Sequence, residues 1–312
     1  MRALAAGALL GVLITPLTAN AGPAAAGQPV SNPAGLVDAR SGSLGPGFVT
    51  VAAGLPFGMV TPGPITTTPV GDDPLNYVGY AYQDPEIRGF ALTHFSGAGI
   101  HIGGELPVMP VTGPVTSPKP SDWASPFTHA TETAEPGYYA TTLLKSGVRT
   151  ELTATTRTAV ERYTFPRGSQ ANLIFDVTRN NDSNQSGGTL SGAFRVVGHH
   201  RAQGSVRVPD SGGLTIWFAA RFDQRIVRHG TWTAAGMTPA KSTARGDGAG
   251  GWVGFDSTRG SEVQADIALS YTSQREAVRN LRAEAPAGRS FDEVRRQAAA
   301  DEFGDAARAG AR

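Results

Sequence analysis

The chain has 312 residues, 40% of them hydrophobic, enough for one large domain or two small ones. Its formal net charge is +1, from 27 basic and 26 acidic side chains, so the overall balance carries no footprint of a nucleic-acid partner. With no cysteine there is no disulfide framework, and stability has to come from the size of the core. Forty glycines and 22 prolines beside 8% aromatic residues suit many short strands joined by tight turns.

The N-terminus carries a targeting signal. Arg2 supplies a positive start, Leu4 to Leu17 is a short apolar run broken at Thr15-Pro16, and Ala19-Asn20-Ala21 offers small residues for cleavage. The run is shorter than the ~20 apolar residues needed to cross a bilayer. Residues 1–21 therefore read as a cleaved signal peptide, and a secreted or cell-wall-associated chain with no further membrane span is expected. Residues 22–35, opening on the Gly/Ala/Pro run Gly22 to Gly27, read as a flexible tether.

From about Leu36 strand-like runs alternate with turn clusters. Tyr138 to Leu144 reads as a strand, Lys145-Ser146-Gly147 as a hairpin turn, and Val148 to Arg157 as the returning strand. In that strand Val148, Thr150, Leu152 and Ala154 alternate with Arg149, Glu151 and Thr153, the pattern of a strand with two opposite faces. Ala171 to Val177 suits a buried strand, and Leu214 to Phe222 is a longer apolar run. Val263, Ala265, Ile267, Leu269 and Tyr271 repeat with a period of two. Over a dozen such strands, with no helix expected before residue 273, predict an all-β fold of stacked antiparallel sheets over 36–272. The character changes at Ser273. Ser273 with Glu276, and Ser290 with Glu293, have capping-box spacing ahead of apolar residues at helical intervals, so 273–312 is expected to be a short helical linker. The apolar stripe fades from Ala299 onward. Two helices cannot form a core alone, so this end reads as a connector to a further domain.

Several catalytic signatures are missing. No serine has glycine two residues away on both sides, no lysine follows Gly and precedes Ser or Thr, and there is no His-Glu-x-x-His. His199-His200 are adjacent, and neighbours on a strand point to opposite faces, so they read as solvent or rim histidines. Asn180-Asn181-Asp182-Ser183-Asn184 lacks calcium-loop spacing and reads as an Asx-rich turn. Spacing in sequence cannot reveal the carboxylate pair of a glycosidase.

One stretch is unusual. Gly79-Tyr80-Ala81-Tyr82-Gln83-Asp84 leads into Ile87-Arg88-Gly89-Phe90-Ala91-Leu92-Thr93-His94-Phe95-Ser96-Gly97-Ala98-Gly99, and Gly103-Gly104-Glu105-Leu106-Pro107-Val108-Met109-Pro110 closes it. A glycine-rich loop between strands lets backbone approach a ligand, with Arg88, His94 and Glu105 as hydrogen-bonding groups and Tyr80, Tyr82, Phe90 and Phe95 as flat apolar faces. The same glycines also suit a long loop that only makes turns.

This stretch resembles the signature of the N-terminal domain of glycoside hydrolase family 92, the exo-acting α-mannosidases. The resemblance extends in order through Leu55-Pro56-Phe57-Gly58-Met59-Val60, Ser125-Pro126-Phe127-Thr128-His129, Ala134-Glu135-Pro136-Gly137-Tyr138-Tyr139, Glu151 to Arg157, and Arg162-Tyr163-Thr164-Phe165-Pro166. It runs on through Ser270-Tyr271, Asn280-Leu281 and Phe291-Asp292, covering about residues 36–296. It departs at Val37-Asp38-Ala39-Arg40-Ser41-Gly42, at Ile100 and Glu105 where Cys and Asp are common, and at Glu161 where His is frequent.

The resemblance implies a large β-supersandwich that in the family pairs with an (α/α)6 barrel supplying the general acid, the base and most calcium ligands. From it, no catalytic residue, metal ligand or cofactor is expected within these 312 residues, calcium being expected only with the helical domain. Mannose-containing glycans are the expected ligand, with Arg88 and His94, then Asp84 and Glu105, as candidate substrate-binding residues or inter-strand supports. Three functions follow: part of an α-mannosidase, truncated or split and inactive alone; a free-standing carbohydrate-binding or adhesion module; or a scaffold that docks a helical catalytic domain on another chain.

Overall fold

The computed structural model describes residues 34–67, 78–100, 102–180, 190–208, 213–257 and 262–310. The expected signal peptide, most of the tether and the Asx-rich run beyond Asn180 lie outside the described residues. The first nine strands are β1 (Gly63–Thr67), β2 (Glu86–Ala91), β3 (Val108–Thr112), β4 (Ser125–Pro126), β5 (Thr133–Glu135), β6 (Tyr138–Thr142), β7 (Arg149–Ala154), β8 (Thr158–Thr164) and β9 (Ala171–Phe175). Then come β10 (Ser191–Val197), β11 (Arg201–Val208), β12 (Leu214–Phe222), β13 (Ile226–Thr233), β14 (Gly236–Pro239), β15 (Thr243–Asp247), β16 (Gly250–Phe255) and β17 (Glu262–Ser270). The helices are α1 (Pro120–Trp123), α2 (Gln274–Glu284) and α3 (Phe291–Gly310).

The strands form two antiparallel sheets. One has the order β1-β2-β3-β9-β16-β13-β14, with β4 added on β2; the other runs β15-β10-β11-β12-β17-β8-β7-β6-β5. Their inner faces share one core, in which Phe175 of the first sheet stacks on Phe218 of the second at 5.9 Å and meets Phe222 edge-on at 6.0 Å. Each buried phenylalanine stabilises the sandwich by roughly 1.5–3 kcal/mol, and such ring pairs add about 0.5–1.5 kcal/mol. The all-β expectation is met.

One expectation needs correction. Among the described residues three short helical turns precede residue 273: 3-10 turns at Ala34–Leu36 and Gly45–Gly47, and α1, whose Pro120 at the first position has its φ preset for a helix start and which buries Trp123. The strand of β7 keeps its two alternating faces, and both are buried, Glu151 and Thr153 included. Its outer face is covered by α3, whose Phe291 and Val294 pack on Tyr138, Ala140 and Val160. In the same way α2 lays Ala277 and Leu281 on Ala219 and Ala268. The two terminal helices are thus layered on the nine-stranded sheet, since each has one apolar stripe to bury.

The Ser290 capping box forms in full and the Ser273 one in half, Ser273 N donating instead to Ser270 Oγ at 3.4 Å. Ser273 Oγ accepts from Glu276 N at 3.2 Å, while Ser290 Oγ accepts from Glu293 N at 3.3 Å and Glu293 Oε2 accepts from Ser290 N at 2.8 Å. Ser290→Ala is expected to cost about 1 kcal/mol, read as a lower urea midpoint with an unchanged slope.

Candidate functional site

Two loops at the β1–β2 end of the first sheet are laced together. Thr61 N donates to Leu92 O at 2.9 Å, His94 N to Thr61 Oγ1 at 2.6 Å, Thr50 N to Ser96 Oγ at 3.1 Å, and Gly97 N to Phe48 O at 2.7 Å. The loop running back from Gly103 is held by Gly104 N on Thr93 O at 2.6 Å and Leu92 N on Glu105 O at 3.1 Å. Among the described residues, three of the four non-glycine residues with positive φ lie here: Phe48 (52°), Phe57 (58°) and Leu106 (59°). Backbone held in the left-handed region by aromatic or branched residues costs of order 1–3 kcal/mol each and concentrates at functional sites. Gly103, at φ 78°, is required for space as well, because a Cβ there would sit 2.9 Å from the Phe95 ring. The same loops expose Phe57 completely, Ile100 by 65% and Phe95 by 47%, which makes this an apolar, strained edge.

The four polar residues singled out in the sequence lie behind this edge. Asp84, His94 and Glu105 are only 2%, 5% and 4% exposed. Asp84 accepts from Thr66 Oγ1 at 2.7 Å. His94 Nδ1 lies 2.8 Å from Thr61 O, and burial drives its imidazole down to about 4, against the backbone of Thr61 and Pro64, which favours the charged form. Glu105 accepts from Thr93 Oγ1 and takes its own backbone anchor from Thr93; burial pushes its carboxyl up, opposed by the hydrogen bonds of Thr93 and Asn180. Arg88, on β2, lines a crevice of about 10 Å³ with Asp176 and Arg179, room for one water at most. Burial, then the like charge of Arg179, pulls its guanidinium down. Asp84 lies in the field of Arg88, but the four do not line one cavity.

A second cluster was not recognised as a unit in the sequence. Glu132, almost wholly buried, accepts from Tyr139 Oη at 2.8 Å and Tyr80 Oη at 3.0 Å, and its Oε2 lies 2.6 Å from His129 Nδ1. His129 Nε2 lies 2.9 Å from Tyr82 O, and its ring stacks on Tyr82 at 3.8 Å with Phe127 edge-on at 5.3 Å. Burial, then the Glu132 charge, raises both Tyr80 and Tyr139. Tyr82 in turn borders a surface hollow with Asp38, Arg40, Ser43 and Leu44, where Arg40 is forked onto Asp38 at 2.9 and 3.0 Å. The local signals were the pair Tyr80 and Tyr82 and the spacing His129-x-x-Glu132, which join only across 52 residues of chain.

Among the described residues no three His, Asp or Glu side chains come together as a metal would need. Glu132 and Glu105 are already engaged by tyrosine, histidine or threonine donors. His199 and His200 sit in the β10–β11 turn, with His199 Nε2 3.1 Å from Arg225 and His200 Nδ1 3.2 Å from Phe222 O. No described helix is long and apolar enough to cross a membrane.

Residues 36–270 match the glycosyl hydrolase family 92 N-terminal domain. An α-mannosidase of family GH92 from Bacteroides thetaiotaomicron, solved with mannoimidazole, is 25% identical with a TM-score of 0.75, the match covering 86% of this chain and 36% of that one. The GH92 glycosyl hydrolase ccman5 is 27% identical, with a TM-score of 0.73 over 86% of this chain and 36% of its own. An inverting GH92 mannosidase of B. thetaiotaomicron shares the fold at 23% identity, with a TM-score of 0.69 over 81% of this chain and 33% of its own. The chain thus spans about a third of the length of these solved relatives. Comparison with curated proteins gives no match.

Proposed function

The chain belongs to the family of glycosyl hydrolase family 92 N-terminal domains, and we propose on that footing that it is the carbohydrate-facing sandwich of a secreted α-mannosidase-like protein. The observation that carries this reading is the strained edge of Phe48, Phe57 and Leu106, with Phe95 and Ile100 exposed beside it. Strain is retained where a ligand or partner needs the loop in one shape. A sugar presents an apolar ring face to an aromatic such as Phe95, and a helical catalytic domain presents apolar side chains to Phe57 and Ile100. Arg88, His94, Asp84 and Glu105 then act from behind, holding the loops that meet the mannose. Acid, base and calcium come from the helical domain of the complete enzyme, so residues 1–312 alone bind mannosides without cleaving them.

Calorimetric titration of the purified chain with α-1,2-mannobiose tests this. Saturable binding at millimolar sugar is expected, weakened about fivefold or more by Phe95→Ala and weakened also by Arg88→Ala and His94→Ala. No heat at that concentration sinks the sugar-facing assignment, and release of mannose by the chain alone sinks its inactivity.

A further inference from the structure

The outer face of the nine-stranded sheet is only partly roofed. Helix α2 lies on β17 and β12 and α3 on β7 and β8, leaving much of β10, β11 and β15 open. The register decides what this open area presents. Arg195 stands opposite Gln203 on one side and Thr243 on the other. One outward pair further along β10, Ala193 stands between Ser205 and Arg245, and Ser205 faces Trp217. Small Ala193 and Ser205 therefore form a floor, and the longer side chains around them form walls. The result is a groove of about 440 Å³, with Gln274 of α2 in its lining. That is within the size range of small-ligand sites.

Its charge is one-sided. Strands β10, β11, β12 and β15 carry five arginines, with Asp247 as their one acid. Arg221 is committed to Asp266. The guanidinia of Arg195, Arg201, Arg207 and Arg245 make no ion pair or hydrogen bond among the described residues. A chain of net charge +1 has therefore gathered four uncommitted arginines on one sheet face. Arginine on successive strands offers planar forks that match carboxylates two bonds at a time.

We propose that this groove binds an anionic oligosaccharide of the uronic-acid type, its carboxylates taken by Arg195 and Arg245 and a sugar ring laid against Trp217. Gln203, Ser205 and Thr243 offer the short neutral donors and acceptors that sugar hydroxyls need. A single-stranded nucleic acid fits less well, because sequence-blind binding of that kind uses several aromatic platforms along a track, and this groove presents one, Trp217, the Phe194 ring being buried in the core. The site is separate from the mannoside-facing loops, so Phe95→Ala leaves it unchanged.

Tri-galacturonate, mannotriose and a short oligothymidylate, each titrated into the purified chain at low and high salt, test the proposal. Tri-galacturonate is expected to bind, with affinity falling as salt rises, and mannotriose to leave this groove unaffected. Arg195→Ala/Arg245→Ala is expected to weaken tri-galacturonate at least about tenfold. Both side chains are exposed, so the thermal midpoint should stay unchanged. Arg195→Lys/Arg245→Lys, which keeps charge but loses the fork, should fall between the two. Absence of tri-galacturonate binding, equal binding by the alanine double variant, or equally tight oligothymidylate binding lost in the same variant would each overturn the proposal.

Discussion

At about pH 8 the Glu161→Gln variant is expected to be more stable than the parent chain by about 4 kcal/mol, while near pH 4 the two should be almost equal. Glu161 sits on β8 with its side chain in the core between the sheets, fully buried, its Oε2 accepting from Tyr163 Oη. Burial, opposed only by that hydrogen bond, pushes its carboxyl from 4.5 to about 8. The sign follows directly. The folded state holds the proton more tightly than the unfolded chain, so the contribution is fully present below about 4.5 and is lost as pH rises toward about 8. The loss is about 1.4 kcal/mol per pH unit across that window. Gln reproduces the neutral carboxyl and cannot ionise. Asp176, raised to about 6 by burial, acts with the same sign between 3.8 and about 6. His94, depressed to about 4, acts oppositely and destabilises the fold as pH falls below 6.5. Both remain in the variant, so the difference between the two urea-midpoint curves isolates Glu161. Parallel curves would rule the assignment out.

What the sequence disclosed depended on whether the cause was local. β12 coincides with the apolar run Leu214 to Phe222, and both terminal helices begin at the serines whose spacing announced them. The ordered motifs identified the family. β16, by contrast, shows no clean apolar alternation in sequence, because Gly250, Gly251 and Gly254 interrupt it. The glycines are there for space: a Cβ on Gly250 would lie 2.1 Å from the Trp232 ring, and one on Gly251 would lie 2.1 Å from the Phe194 ring. Those rings come from β13 and β10, and no local pattern shows them. The basic groove was hidden for a related reason. Net charge averages over the chain, while Arg195 and Arg245 become neighbours only through the β10–β15 ladder. The 79–110 stretch was recognised as special, yet Asp84, His94 and Glu105 are buried, and of the four rings expected to offer flat faces Tyr80 and Phe90 are buried too, Tyr82 is half-buried and Phe95 alone is exposed.

Replacing Glu132 should do more damage than removing any one of its donors. Glu132→Ala leaves two buried tyrosine hydroxyls and the His129 Nδ1 without their acceptor, and breaking such a buried charged cluster costs about 3–5 kcal/mol. Tyr139→Phe removes one hydrogen bond to a charged group and should cost about 1.5–3 kcal/mol. The two are coupled through a shared bond. In the Glu132→Ala background Tyr139→Phe should cost little, because its hydroxyl has already lost its partner, and a double-mutant cycle should return a coupling of at least about 1 kcal/mol. Additive costs would mean that the tyrosine is held by packing alone. The network also reaches the surface: Glu132 orients His129, which stacks under Tyr82 beside Arg40. Glu132→Gln keeps the shape but turns an acceptor toward its donors into an amide that competes with them. It should loosen Tyr82 at a smaller stability cost than alanine. A change in mannobiose affinity in that variant, with Phe95 untouched, would place the Tyr82 hollow on the same sugar-facing surface as the strained loops.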